Sequence, residues 1–305
     1  MKRNIVVSKY LADVGAVKNV TAESLDPWIK SGEISIGGRA PDGDSFVLSW
    51  GDPQVGSSCI VVETGFFWDA AHVDTIGLYR YSSLNTLAGV AAAQSFEAPR
   101  SAQDIVLGGT LPASKYRQTR NPISWDGVVL ACQNPADRSV LRGHSVEDYW
   151  RFFEGACQHY GEHLYVKLHP WNSGDVEKRM VEIARMHGCG ISKCDHSVIE
   201  RARFVLVYNS TFAVDCFVRR VPVAQFAPGY FWQTPAVTFT GYSYPDDVKD
   251  SLDAGSRLAD FLLWRYCFSI AMPIEKWVRM LRHLSTSTEI FPVDGEFAYA
   301  ANLAH

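Results

Sequence analysis

Apolar residues along this chain fall into short runs, parted by polar turns and by stretches of helical periodicity. Residues 1–10 read as a short strand centred on Ile5, Val6 and Val7. Ser45–Trp50 and Cys59–Glu63 read as further strands, separated by turn chemistry such as Ala40-Pro41-Asp42-Gly43. The first third is therefore mixed α/β. Pro112–Trp125 is polar, with Lys115, Arg117 and Arg120 close together, and is the candidate interdomain linker.

Beyond it the pattern becomes regular. Val128–Cys132, Leu164–Leu168, Phe204–Tyr208 and Pro222–Phe226 are apolar runs of strand length. Helical stretches lie between them. Ser145, with Asp148 three residues on, caps one that runs to Tyr160; others cover Asp175–His187 and Thr211–Arg219, and Glu200–Arg203 closes a short one. Strands alternating with helices make βα units and a parallel sheet, whose ligands bind beyond the carboxyl ends of the strands. Phe261–Ile270 is apolar but interrupted by Arg265, and fits a core-facing helix. Its amphipathic end leaves peripheral contact with a membrane surface open.

A length of 305 residues suits two domains. The reading divides the chain into 1–122, 123–270 and a C-terminal segment 271–305, in which Glu275–Leu284 is a helix able to cross back to the first domain. With 47% hydrophobic and 20% charged residues, the chain has material for substantial cores and is not a disordered protein. A net charge of -4 argues against a dedicated nucleic-acid binder. Seven cysteines form no paired framework and no signal pattern precedes them, so reduced thiols and a cytoplasmic location are expected. No stretch reaches the roughly 18 apolar residues that span a bilayer.

Three polar segments stand at strand ends: Gln133-Asn134-Pro135-Ala136-Asp137, Lys167-Leu168-His169-Pro170 and Asn209-Ser210-Thr211. Small hydroxyl residues at a helix start offer donors to a phosphate, although each by itself also reads as a helix cap. Their shared position at adjacent strand ends favours a site. His187, Cys189, Cys194 and His196 fall close enough together to raise zinc, but their spacing and order are irregular, so a buried reduced cysteine pair is preferred and no metal is assigned. Tyr230, Phe231 and Trp232 follow a Pro-Gly turn and read as packing.

Gln133-x-x-x-Asp137, Lys167-x-His169-Pro170 and Asn209-Ser210-Thr211-x-x-x-Asp215, followed by Arg220-Val221-Pro222-Val223, stand in that order. With Val62-Glu63-Thr64-Gly65-Phe66-Phe67, Asp74 and Gly77-Leu78-Tyr79, this resembles the bacterial capsule and lipopolysaccharide β-Kdo transferases over roughly Cys59 to Phe226. The resemblance implies an α/β, GT-B-like pair of Rossmann-like domains, an acceptor-side domain and a nucleotide-sugar-binding domain, with the active site in the cleft between them. It implies a CMP-activated sugar, a glycan or glycolipid acceptor, no metal or other cofactor, and retention by double displacement. Asp137 would be the nucleophile, since a carboxylate can attack the anomeric carbon and later leave. Glu63 would deprotonate the acceptor hydroxyl. His169 and Lys167 would meet the charge on the departing phosphate, Gln133, Asn209, Ser210 and Thr211 would line the donor pocket, and Asp215 would bind ribose hydroxyls. The chain departs from the pattern at Thr64, where the family has Asp, and at Asp215, where Glu is usual.

Two other functions compete. Arg117, Arg120, Arg138 and Arg142 keep DNA open as an acceptor, as in a phage-type glycosyltransferase acting on hydroxymethylated bases. A non-catalytic sugar-nucleotide-binding protein is the other, opposed by two carboxylates and a histidine at one cleft.

Overall fold

A computed structural model describes residues 5–8, 20–37, 46–50, 58–111, 121–172, 174–248, 251–291, 293 and 295–303. The Ala40–Gly43 turn and the linker residues Lys115, Arg117 and Arg120 lie outside them.

The strongest apolar runs form the second of two sheets. It holds β6 (Val128–Ala131), β7 (Leu164–Lys167), β8 (Gly190–Ser192), β9 (Phe204–Val207), β10 (Val223–Gln225) and β11 (Thr238–Phe239), in the order β11-β10-β9-β6-β7-β8. Every pairing is parallel. All residues of β6, β7 and β9 are buried, which is why these strands are continuous apolar runs rather than alternating ones. Leu130, Val166 and Leu206 face a core closed by Phe152 and Phe153, while Val129 and Val205 face the opposite side. The covering helix, Val146–Tyr160, starts where the sequence places it: Ser145 and Asp148 form both halves of a capping box. Tyr149, Phe152, Phe153 and Ala156 then fall on one buried face at helical spacing.

The first sheet holds β1 (Ile5–Ser8), β2 (Ile34–Gly37), β3 (Phe46–Trp50), β4 (Ser58–Thr64), β5 (Ala70–Asp74) and β12 (Cys267–Ser269), in the order β12-β5-β4-β3-β1-β2. β5 is antiparallel to both β4 and β12; the other pairs are parallel. The Phe261–Ile270 stretch corrects the sequence reading. A helix does end there, at Phe261, but one π-helical turn over Leu262–Tyr266 then feeds β12, which pairs with β5. The open edge of β5 supplies hydrogen-bond partners that the local sequence does not reveal. The sequence division at 123–270 places residues 267–269 in the second domain, whereas their strand lies in the first sheet.

From β12 the chain enters helix Ile274–Thr286, which lays Trp277, Val278, Leu281 and Leu284 into one core with Ile5, Val7 and Leu48. Among the described residues no helix is long and apolar enough to cross a membrane. Cys132, Cys157, Cys189, Cys194, Cys216 and Cys267 are buried thiols that form no disulfide.

Trp277 is wholly buried beneath the first sheet. Trp277→Ala is expected to cost about 3–5 kcal/mol, the range for deleting a large buried aromatic, read as a lowered midpoint in urea denaturation.

Candidate functional site

The carboxyl ends of β4, β6, β7 and β9 open onto one cavity of ≈ 290 Å³. Both sheets contribute walls: Glu63, Thr64 and Tyr79 from the first, Asp137, Lys167 and His169 from the second.

Asp137 occupies the turn after β6 and caps the short helix Arg138–Leu141, its Oδ1 accepting from Ser139 N at 2.8 Å and Ser139 Oγ at 2.6 Å. Asp137 thus both caps this helix and lines the cavity. Glu63 sits near the end of β4, half-buried, and its Oε2 accepts from the Tyr79 hydroxyl at 3.0 Å.

Lys167 ends β7 almost fully buried. Its ammonium donates to the Cys194 carbonyl and lies 5.8 Å from the centre of the Phe212 ring. Burial lowers its pKa, against an upward pull from Asp215 and Asp195. His169 lies beside it on the cavity wall. Its Nδ1 accepts the Trp171 N–H at 3.2 Å, which leaves the proton of the neutral ring on Nε2. The neighbouring Trp171 is 65% exposed and lines the same cavity, so the lining extends to an aromatic surface that the sequence reading did not single out.

Ser210 and Thr211 line the cavity ahead of helix Ala213–Val218, which begins two residues later than its predicted start at Thr211. Ser210 Oγ accepts the Phe212 N–H at 3.1 Å. Asp215 also lines the cavity but is shared with the protein: His196 Nε2 stands 3.2 Å and Arg219 Nη1 3.7 Å from Oδ1. Asn209 is not among the lining residues. It is buried, and its amide accepts from Gln133 Nε2 at 3.0 Å and donates to the Ser139 carbonyl at 2.8 Å. Gln133 does line the cavity, yet its side chain is spent on Ser139 and Asn209. These two amides tie the ends of β6 and β9 together and so fix the turn that carries Asp137.

The His/Cys cluster disperses. Cys189 packs in the core under helix Val146–Tyr160, where its thiol donates to the Cys157 carbonyl at 3.6 Å, whereas Cys194 faces the opposite core. The cysteine neighbour of Cys189 is therefore Cys157 and not Cys194. Among the described residues no group of three or more His, Cys, Asp or Glu side chains could hold a metal ion.

Tyr230 departs from the reading as mere packing: it lines the cavity, and its hydroxyl meets His72 Nε2 at 3.1 Å. His72 Nδ1 lies 3.2 Å from the Thr64 carbonyl, which can only accept, so Nδ1 carries the proton and Nε2 accepts from Tyr230. Phe231 is buried in the shared core, and Trp232 Nε1 donates to the Arg80 carbonyl at 3.4 Å. Arg142, one of the arginines noted in the sequence, lies over the Tyr79 ring at 5.5 Å, while Arg138 opens the helix after Asp137.

No family model and no curated protein matches the chain. Solved structures do. The β-Kdo 2,4-transferase of Thermosulfurimonas dismutans KpsC aligns at TM-score 0.55 and 17% identity, over 92% of this chain and 98% of that one. The β-Kdo 2,7-transferase of the same protein aligns at TM-score 0.54 and 14% identity, over 93% and 100%. The fold is GT-B-like. Two Rossmann-like sheets face one another, and the cavity lies between their strand ends. At these identities the likeness extends to the fold.

The placement of Tyr79 depends on Asp74, a wholly buried carboxylate at the end of β5. Asp74→Asn would put an amide N–H₂ among donors. A loss of about 3 kcal/mol is expected, since each buried donor left unpaired costs about 1–3 kcal/mol. Chemical denaturation measures it.

Proposed function

We propose that this chain is a retaining glycosyltransferase that moves a sugar from a nucleotide donor, with CMP-Kdo the first candidate, to a glycan or glycolipid hydroxyl. The observation that carries the reading is the meeting of two carboxylates from different sheets, Asp137 and Glu63, on one cavity that also holds Lys167, His169 and a Ser-Thr pair. A binding module needs no such pair. Two solved structures that share the fold, at TM-scores of 0.54 and 0.55, are named as Kdo transferases, which supports both the reaction and the first donor to test.

In this reading the nucleotide's phosphate lies against Lys167, Ser210 and Thr211, and His169 donates from Nε2. An incoming phosphate adds its charge to the pull of Asp215 and Asp195 and further offsets the cost of burying the Lys167 charge. Asp137 attacks the anomeric carbon as the bond to the phosphate oxygen breaks, and the nucleotide leaves with the electron pair. Glu63 then takes the proton of the acceptor hydroxyl, whose oxygen attacks the same carbon while the bond to Asp137 breaks. Two inversions give retention. Asp215, engaged by His196 and Arg219, would meet ribose hydroxyls with its remaining acceptor capacity. Lys167 and His169 take the charge-neutralising part a metal plays in other transferases, so the reaction is assigned no metal.

Asp137→Asn is expected to lower transfer by at least about 10³-fold while CMP still raises the melting temperature, as a ligand of the folded state does. Wild-type turnover in that variant would falsify the nucleophile assignment. A thermal-shift series with CMP, UDP and GDP should select CMP, and a shift with UDP or GDP alone overturns the donor. Transfer should also persist in EDTA; its abolition by chelation, restored by a divalent cation, contradicts the metal-free mechanism.

A further inference from the structure

Tyr79 has a backbone that few bulky residues adopt. Its φ is 56°, in the left-handed region that is costly for any side chain with a Cβ and persists only where the surroundings enforce it. The enforcement is visible on both sides. Asp74 Oδ1 accepts from Ile76 N at 2.8 Å and Gly77 N at 2.9 Å, and Asn85 Nδ2 donates to the Tyr79 carbonyl at 3.2 Å. The ring is held as firmly: it lies 5.2 Å from the Tyr230 ring and beneath the Arg142 guanidinium. At the end of this braced side chain the hydroxyl donates to Glu63 Oε2 at 3.0 Å, on the cavity wall.

We propose that Tyr79 is a positioning residue for the acceptor-activating carboxylate, holding Glu63 Oε2 so that Oε1 receives the proton of the acceptor hydroxyl. The proposal rests on the reading of Glu63 as the base. Burial raises the phenol's pKa, and the charges of Glu63 and then Asp137 raise it further, so the hydroxyl stays protonated and remains a donor. Tyr79 itself exchanges no proton. The proton passes from the acceptor hydroxyl to Glu63, the acceptor oxygen bonds the anomeric carbon, and the Asp137 carboxylate leaves with the electron pair.

The two half-reactions separate this role from a structural one. Only the second needs the acceptor to be deprotonated, since the nucleotide phosphate leaves without a proton. With CMP-Kdo as donor, Tyr79→Phe keeps the ring and its packing and removes the hydroxyl alone. Single-turnover CMP release without acceptor should match the wild type. Transfer to acceptor should slow by about ten- to a hundredfold, the range spanned by a hydrogen bond to a charged group. Wild-type rates in both steps overturn the proposal, and so does an equal slowing of both, which would mark a general disturbance of the cleft. Glu63→Gln run alongside tells apart the two levels of failure. Wild-type transfer by Glu63→Gln removes the base assignment itself. Impaired Glu63→Gln with an unaffected Tyr79→Phe removes only the role of Tyr79.

Discussion

The carboxylate of Asp74 joins the turn at the candidate site to the later segment that re-enters the first sheet. It is fully buried, and both oxygens are engaged by neighbours from three segments. Oδ1 takes the two backbone N–H groups of the turn that leads to Tyr79. Oδ2 takes the Ser82 hydroxyl at 2.7 Å, the Ser83 N–H at 2.8 Å and the Tyr266 hydroxyl. Tyr266 closes the π-turn before β12, so one charge sets both the turn at the cavity and the point at which the C-terminal segment rejoins the first sheet. A buried carboxylate is tolerable only when its lone pairs are filled in this way, which is why the serines and the tyrosine converge on it.

The two sheets are not independent halves with a loose seam. One core runs from Val61 and Phe66 of the first to Val129 and Val205 of the second. Polar groups stitch the same boundary: Asn85 Nδ2 donates to the Gly229 carbonyl at 2.9 Å, and His72 receives the Tyr230 hydroxyl. Gly229 has to be small there, because a Cβ would stand 2.9 Å from the Asn209 Cβ. The loop after β10 is thus wedged between the Asn209 turn and the first sheet. Tyr230 inherits two jobs from that wedge, packing the seam and lining the cavity.

Electrostatics in the cavity follow the division between sheets. The second sheet brings Lys167, buried and therefore costly as a cation, next to hydroxyl donors at the end of β9. The first brings Glu63 with a neutral phenol as its partner. Asp137 stands between them in influence, capping its own helix and acting on the Tyr79 phenol. An anion is best met on the Lys167 side and a hydroxyl best activated on the Glu63 side, an asymmetry suited to a phosphate-bearing donor and a hydroxyl acceptor.

The amino-acid sequence by itself determined the α/β class, the parallel second sheet and the capped helix after β6. A strand buried on both faces has to be an unbroken apolar run, and a capping box is chemistry among four consecutive residues, so both can be read locally. It also located the strand ends where Gln133, Asp137, Lys167, His169, Ser210, Thr211 and Asp215 reach the cavity. Tertiary structure decided the rest. β8, β11 and β12 are two or three residues long and exist because a neighbouring edge offers hydrogen bonds. Asn209 and Gln133 became each other's partners instead of cavity donors because β6 and β9 are adjacent. The pairing of Tyr79 with Glu63 and of His72 with Tyr230 likewise depends on which strands lie side by side and which loop covers them. Those contacts join residues far apart in the chain, and no local pattern encodes a partner that only the packed sheets bring within reach.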